Sequence, residues 1–131
     1  GLQRLGYVGR CSFDHLVVGD QGGDCSLRFT ECNGRWGGTS IPMCLVDRLT
    51  EGPRPPYRAQ DVMLESLRGA TLTDVMARLD GHLYDPATGA GRFVLYNPGP
   101  LSEIGKIDVI AICDTQDAAE EAMEVDLPAL L

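Results

Sequence analysis

Asp14, Glu31, Asn33 and Arg35 are the side chains whose types and spacing carry chemistry in this sequence. They sit in and just beyond CSFDHLVV (11–18) and LRFTEC (27–32), two runs rich in β-branched and aromatic residues separated by the turn-forming GDQGGDCS. Together these read as a β-hairpin. If the strands pair symmetrically about Gly22 and Gly23, Asp14 lies directly opposite Glu31, and Asn33 projects from the same face two residues on. Like charges facing each other across a hairpin destabilise it unless something neutralises them. Two carboxylates and an amide offer oxygen donors, a set suited to a hard cation such as Mg²⁺ or Mn²⁺.

Symmetric pairing also predicts that Leu16, Val18, Leu27 and Phe29 continue this face toward the turn and anchor the hairpin on a core. Just past Asn33 comes Arg35, whose planar fork suits phosphate or carboxylate. Gly37, Gly38, Thr39 and Ser40 then lead into a helix N-terminus, where backbone amides can hold an anion. Alternation sends His15 and Cys32 to the opposite face, so His15 is read as an ordinary strand residue and Cys32 as packing. Tyr7 is read as packing, and Trp36 as either lining an acceptor site or packing the loop against the following helix.

The elements that must position these residues follow from pattern. Ile41, Cys44, Leu45 and Leu49 recur at helical spacing, with Ser40 as cap and Pro42 tolerated in the first turn. The prolines of EGPRPPYR (51–58) mark a surface connection. Val62, Leu64 and Leu67 predict a further helical piece, and TLTDVMARLDG a clearer helix, capped by Thr71 or Thr73 and stopped at Gly81. YDPATGAG reads as a turn, RFVLY as a strand and NPGP as a second turn. IDVIAIC (107–113), almost continuously apolar, predicts a strand buried on both faces. DTQDAAEEAMEV closes the pattern as an acidic helix capped by Asp114 or Thr115. The fold class expected is therefore α/β in the broad sense, more narrowly α+β, an antiparallel sheet flanked by helices.

With 131 residues, 44% hydrophobic and 23% charged, the chain has the composition of one globular domain. A formal charge of −8 argues against nucleic acid or an anionic membrane as partner, and no apolar run approaches membrane-spanning length. Residues 101–131 carry −7 of that charge, so the remainder is nearly neutral. Five cysteines without CxxC or His-paired spacing indicate neither a disulfide framework nor a zinc site. They are expected to be small buried apolar residues in a reducing, cytoplasmic setting.

The lead Gly6-Tyr7-x-Gly9, Asp14 in the first strand, then Glu31-x-Asn33-x-Arg35 with Gly37 and Gly38, resembles the C-terminal catalytic lobe of ATP-grasp ligases, with a looser likeness beyond residue 50 to peptide ligases of the pheganomycin type. The resemblance implies that Asp14, Glu31 and Asn33 bind Mg²⁺ ions bridging the ATP phosphates, and that Arg35 clamps phosphate or the substrate carboxylate. It places Asn33, Arg35 and Gly37 to Ser40 around ATP and the acceptor. The activity it implies is carboxylate–amine ligation through an acyl phosphate, with a carboxylic acid and an amine, small or peptidic, as substrates. On this reading 1–50 is the metal- and phosphate-binding hairpin and loop, and 51–131 a helical segment followed by the C-terminal strands and helix. The family's ATP-clamping lysines and glycine-rich flap are expected to come from an N-terminal half that 1–131 does not contain. A competing expectation is a non-catalytic module of the same fold that docks a partner through the acidic helix. A homodimer formed through the apolar IDVIAIC run is also expected.

Overall fold

A computed structural model describes residues 2–19 and 22–131. The fold is α+β, with two separate antiparallel sheets rather than one, and it resolves into two compact units, Gly1–Ile41 and Pro42–Leu131.

The first unit opens with a 3₁₀ turn over Leu2–Leu5, followed by strands β1 (Ser12–Gly19) and β2 (Cys25–Asn33) paired antiparallel. The expected hairpin is therefore present, although Asp20 and Gln21 of its expected turn lie outside the described residues. Helix α1 (Ser40–Leu49) starts at the end of this unit and continues into the second, with Pro42 in its first turn as expected.

In the second unit, β3 (Tyr57–Met63), β4 (Phe93–Tyr96) and β5 (Lys106–Ile112) form a three-stranded sheet in the order β3–β5–β4. β5 lies in the middle because its apolar run can be shielded on both faces there. Ile107, Val109 and Ala111 enter one core with Val62, Leu67, Val75 and Phe93, while Ile110 and Ile112 enter another with Val46 of α1. With both faces covered and both edges paired, this run is satisfied inside its own unit.

The expected helix around Val62, Leu64 and Leu67 is corrected. Residues 57–63 are strand β3, and only Glu65–Leu67 turns, as a short 3₁₀ segment. Val62 and Leu67 both reach the core, but from different elements. The apparent helical spacing is the sum of a strand end and a turn, and pairing with β5 decided the outcome. Helix α2 (Leu72–Arg78) is capped as expected: the Thr71 hydroxyl accepts from the Asp74 N–H at 3.2 Å, and the Asp74 carboxylate accepts from the Thr71 N–H at 2.8 Å. A short helix not anticipated, α3 (Leu101–Ile104), ends at Gly105 with φ +67°. A Cβ there would meet the Leu64 carbonyl oxygen at 2.2 Å, so only glycine fits. The acidic stretch is helical as expected, with α4 (Gln116–Glu121) capped by the Thr115 hydroxyl and passing through a π turn (Ala122–Asp126) into α5 (Leu127–Leu130).

Candidate functional site

Asp14 is paired with Glu31 across β1 and β2, as symmetric pairing predicted. One residue nearer the turn the register slips: His15 faces Phe29, and Thr30 is left as the extra residue of a β-bulge. The Thr30 hydroxyl donates to the Asp14 carbonyl at 2.9 Å and holds this kink in place.

Because side chains alternate with period two, a single inserted residue moves everything beyond it to the other face. The expectation that Leu27 and Phe29 share the face of Asp14 is corrected accordingly. Leu27 stands opposite Val17, and Phe29 opposite His15, on the far side from the carboxylates. Ring contacts agree: Phe29 lies 6.3 Å from Phe13 and 5.9 Å from His15, centroid to centroid. His15 points away from Asp14, as alternation required. The anchoring role is corrected as well, since Leu16, Val18, Leu27 and Phe29 are all exposed.

The same bulge places Arg28 opposite Leu16, one step along the face that carries Asp14 and Glu31. Sequence reading missed this guanidinium, because symmetric pairing assigns position 28 to the other face.

Asp14 and Asn33 meet directly, the Asn33 Nδ2 donating to Asp14 Oδ2 at 3.1 Å. Glu31 is exposed and, among the described residues, its side chain makes no hydrogen bond or ion pair. Arg35 is not brought onto the carboxylates; its Nη1 donates to the Trp36 carbonyl at 3.3 Å. Trp36 is 62% exposed, and the Arg10 guanidinium lies over its ring at 4.9 Å. The Tyr7 hydroxyl donates to the Arg10 carbonyl, so Tyr7 ties down this loop.

In the glycine loop, the Gly37 N–H donates to the Ser40 Oγ at 3.1 Å, and the Ser40 N–H donates to the Gly37 carbonyl at 2.9 Å. Ser40 is 5% exposed, so its hydroxyl closes the turn before α1. Of the four loop residues, Gly38 and Thr39 keep amides outside this reciprocal pair. The cysteines differ from expectation: none is buried, with Cys25 and Cys32 exposed and Cys11, Cys44 and Cys113 half-buried.

The donor set can be tested against a metal. Among the described residues, no group of three or more His, Cys, Asp or Glu stands together for one. Two carboxylates and one amide oxygen are what the hairpin end supplies. That set fits a hard cation which keeps several positions for water or phosphate oxygens, as Mg²⁺ does, and does not fit zinc. No protein-family model, curated protein or solved structure matches this chain.

Proposed function

We propose that the hairpin end binds Mg²⁺ and the phosphates of ATP in a carboxylate–amine ligase of the ATP-grasp kind, with sequence outside 1–131 contributing the ATP-clamping half. The observation that carries this reading is the opposition of Asp14 and Glu31 with Asn33 on Asp14. A second carboxylate pair shows why it counts. Asp61 and Asp108 also face each other, across β3 and β5, but Lys106 stands 3.3 Å from Asp61 and the Asn97 amide donates to Asp108 at 2.9 Å. Lys106 thus offsets part of that pair's charge from within, whereas at the hairpin pair neither Asp14 nor Glu31 makes an ion pair among the described residues, and an external cation offsets the repulsion.

In the reaction, a substrate carboxylate oxygen attacks the γ-phosphorus of ATP, ADP leaves, and an acyl phosphate forms. An amine then attacks the acyl carbon, inorganic phosphate departs, and the amine proton passes to solvent. The cation supplies charge neutralisation on the phosphate oxygens. Asp14, Glu31 and Asn33 hold it, Arg35 clamps a phosphate or carboxylate, and the Gly37–Ser40 loop borders the acceptor. Arg28, from the same face as the carboxylates, adds positive charge beside the phosphates. No protein nucleophile is required.

Calorimetric titration of Mg²⁺ into the chain and into its Glu31→Ala, Asn33→Ala variant tests the reading, since the proposed cation ligands all lie within the hairpin end. Binding that weakens at least tenfold in a variant with unchanged circular dichroism is expected. Equal heats in both proteins would sink the ligase reading and leave the docking module.

A further inference from the structure

The chain has two asparagines, Asn33 and Asn97, and the residue after each sets what its amide can undergo. Asn97 precedes Pro98, which has no backbone N–H. Asn33 precedes Gly34, whose nitrogen lies one residue from the side-chain amide carbon and whose missing Cβ leaves the approach open.

The fold leaves this pair of residues free to react. Asn33 is the last residue of β2 and pairs with Ser12, so turning its Cα–C bond moves only the chain beyond the ladder. Gly34 lies outside the strand and is exposed, and among the described residues its N–H donates to nothing. The Asn33 side chain is held by the bond from Nδ2 to Asp14 Oδ2 at 3.1 Å, an exposed hydrogen bond that exchanges readily with water. With Phe13 49% and Phe29 59% exposed, little burial resists local opening of the hairpin. Nor does the fold require glycine at 34. Its φ is not in the left-handed region, and a Cβ would meet the Tyr7 ring at 3.5 Å, an ordinary contact.

We infer that Asn33 is a site of spontaneous deamidation through a succinimide formed with Gly34. The Gly34 nitrogen gives its proton to solvent base and attacks Asn33 Cγ. The Cγ–Nδ2 bond breaks, and the amide nitrogen takes a proton from solvent and leaves as ammonia. Water then opens the cyclic imide. Attack at Cγ gives aspartate; attack at the main-chain carbonyl gives isoaspartate, in which the backbone runs through Cγ and is longer by a carbon. Water is the sole co-reactant. Either product replaces the neutral donor on Asp14 with a carboxylate, adding negative charge beside Asp14 and Glu31 at the open end of the hairpin. The inference is independent of the ligase reading, because it needs only Asn33, Gly34 and solvent.

Peptide mass spectrometry of the folded chain, held in mildly alkaline buffer and sampled over time, tests this, with aspartate and isoaspartate peptides separated by chromatography. Residue 33 is expected to convert to a mixture of both acids with isoaspartate in excess, while Asn97 stays an amide. Gly34→Ala, whose Cβ fits beside Tyr7, is expected to slow the conversion at least tenfold with unchanged circular dichroism. A residue 33 that stays asparagine in the folded chain over the time in which it converts in urea overturns the proposal. Aspartate formed without isoaspartate, or an equal rate in Gly34→Ala, overturns it too, since either assigns the loss to direct hydrolysis. If Gly34→Ala does not fold, isoaspartate at residue 33 of the parent chain decides alone.

Discussion

In β1 and β2, Phe13, Val17, Leu27 and Phe29 stand 49 to 66% exposed, whereas Phe93, Ile107, Val109 and Ile110 of the three-stranded sheet are at or below 1%. The strands of both sheets are rich in the same residue types; what differs is what lies over them. The second sheet has apolar side chains of α1 on one face and of α2 and the C-terminal helical run on the other. A pair of strands by itself is marginal in water, so the hairpin takes little stability from burial. The two opposed carboxylate pairs follow the same division. At the second pair Lys106 forms an ion pair with Asp61; at the hairpin pair Asn33 donates to Asp14, and neither carboxylate makes an ion pair among the described residues.

The largest effect expected from this contrast is in the aromatic side chains. Phe93→Ala should cost about 3–5 kcal/mol in urea unfolding, through lost burial and the cavity left behind, whereas Phe29→Ala should cost less than about 1 kcal/mol. Comparable losses at the two positions would break the comparison, because they would mean that the hairpin face is covered in solution.

A smaller effect separates the carboxylate pairs. Glu31→Gln should protect the β1 and β2 amides from hydrogen exchange by about 0.5 kcal/mol in the absence of divalent cation, since it removes a directly opposed charge. Millimolar Mg²⁺ should reverse the order, protecting the parent chain more than the variant. Lys106→Met should act in the opposite sense at the other pair and be indifferent to Mg²⁺. Identical exchange in parent and Glu31→Gln, with and without Mg²⁺, would remove the distinction.

The smallest effect is on the acid limb of stability. Asp74 is held below the ordinary aspartate range by the Thr71 N–H and then its hydroxyl, and Asp85 by the Ala87 N–H and then the Thr88 hydroxyl. A carboxyl whose folded pKa lies below its unfolded value favours folding above the unfolded pKa, and that contribution disappears as pH falls through the folded one. Both groups belong to the second unit, so its urea midpoint should fall below the ordinary aspartate range. Asp74→Asn should flatten that fall. A limb equally steep in the variant would assign it to other groups.

Much of this molecule was legible locally. The Thr71 cap with Asp74 three residues on, the period of α2 and the almost continuously apolar run of β5 each depend on neighbours close in sequence, and each formed where expected. The Asp14–Glu31 opposition was legible too, because a turn near Gly22 and Gly23 sets the pairing at the hairpin's open end. β3 was not legible. Tyr57–Met63 lacks clean alternation of apolar and polar residues, and its strand form comes from β5, about fifty residues away in the chain.

What the sequence alone determined is therefore the type of most elements and the identity of the residues gathered at the hairpin end, since capping, turn formation and hydrophobic period act over a few residues. Tertiary structure alone decided which way those residues face. The bulge at Thr30 exists only when two strands pair, and it carries Leu27 and Phe29 away from the carboxylates while bringing Arg28 beside them.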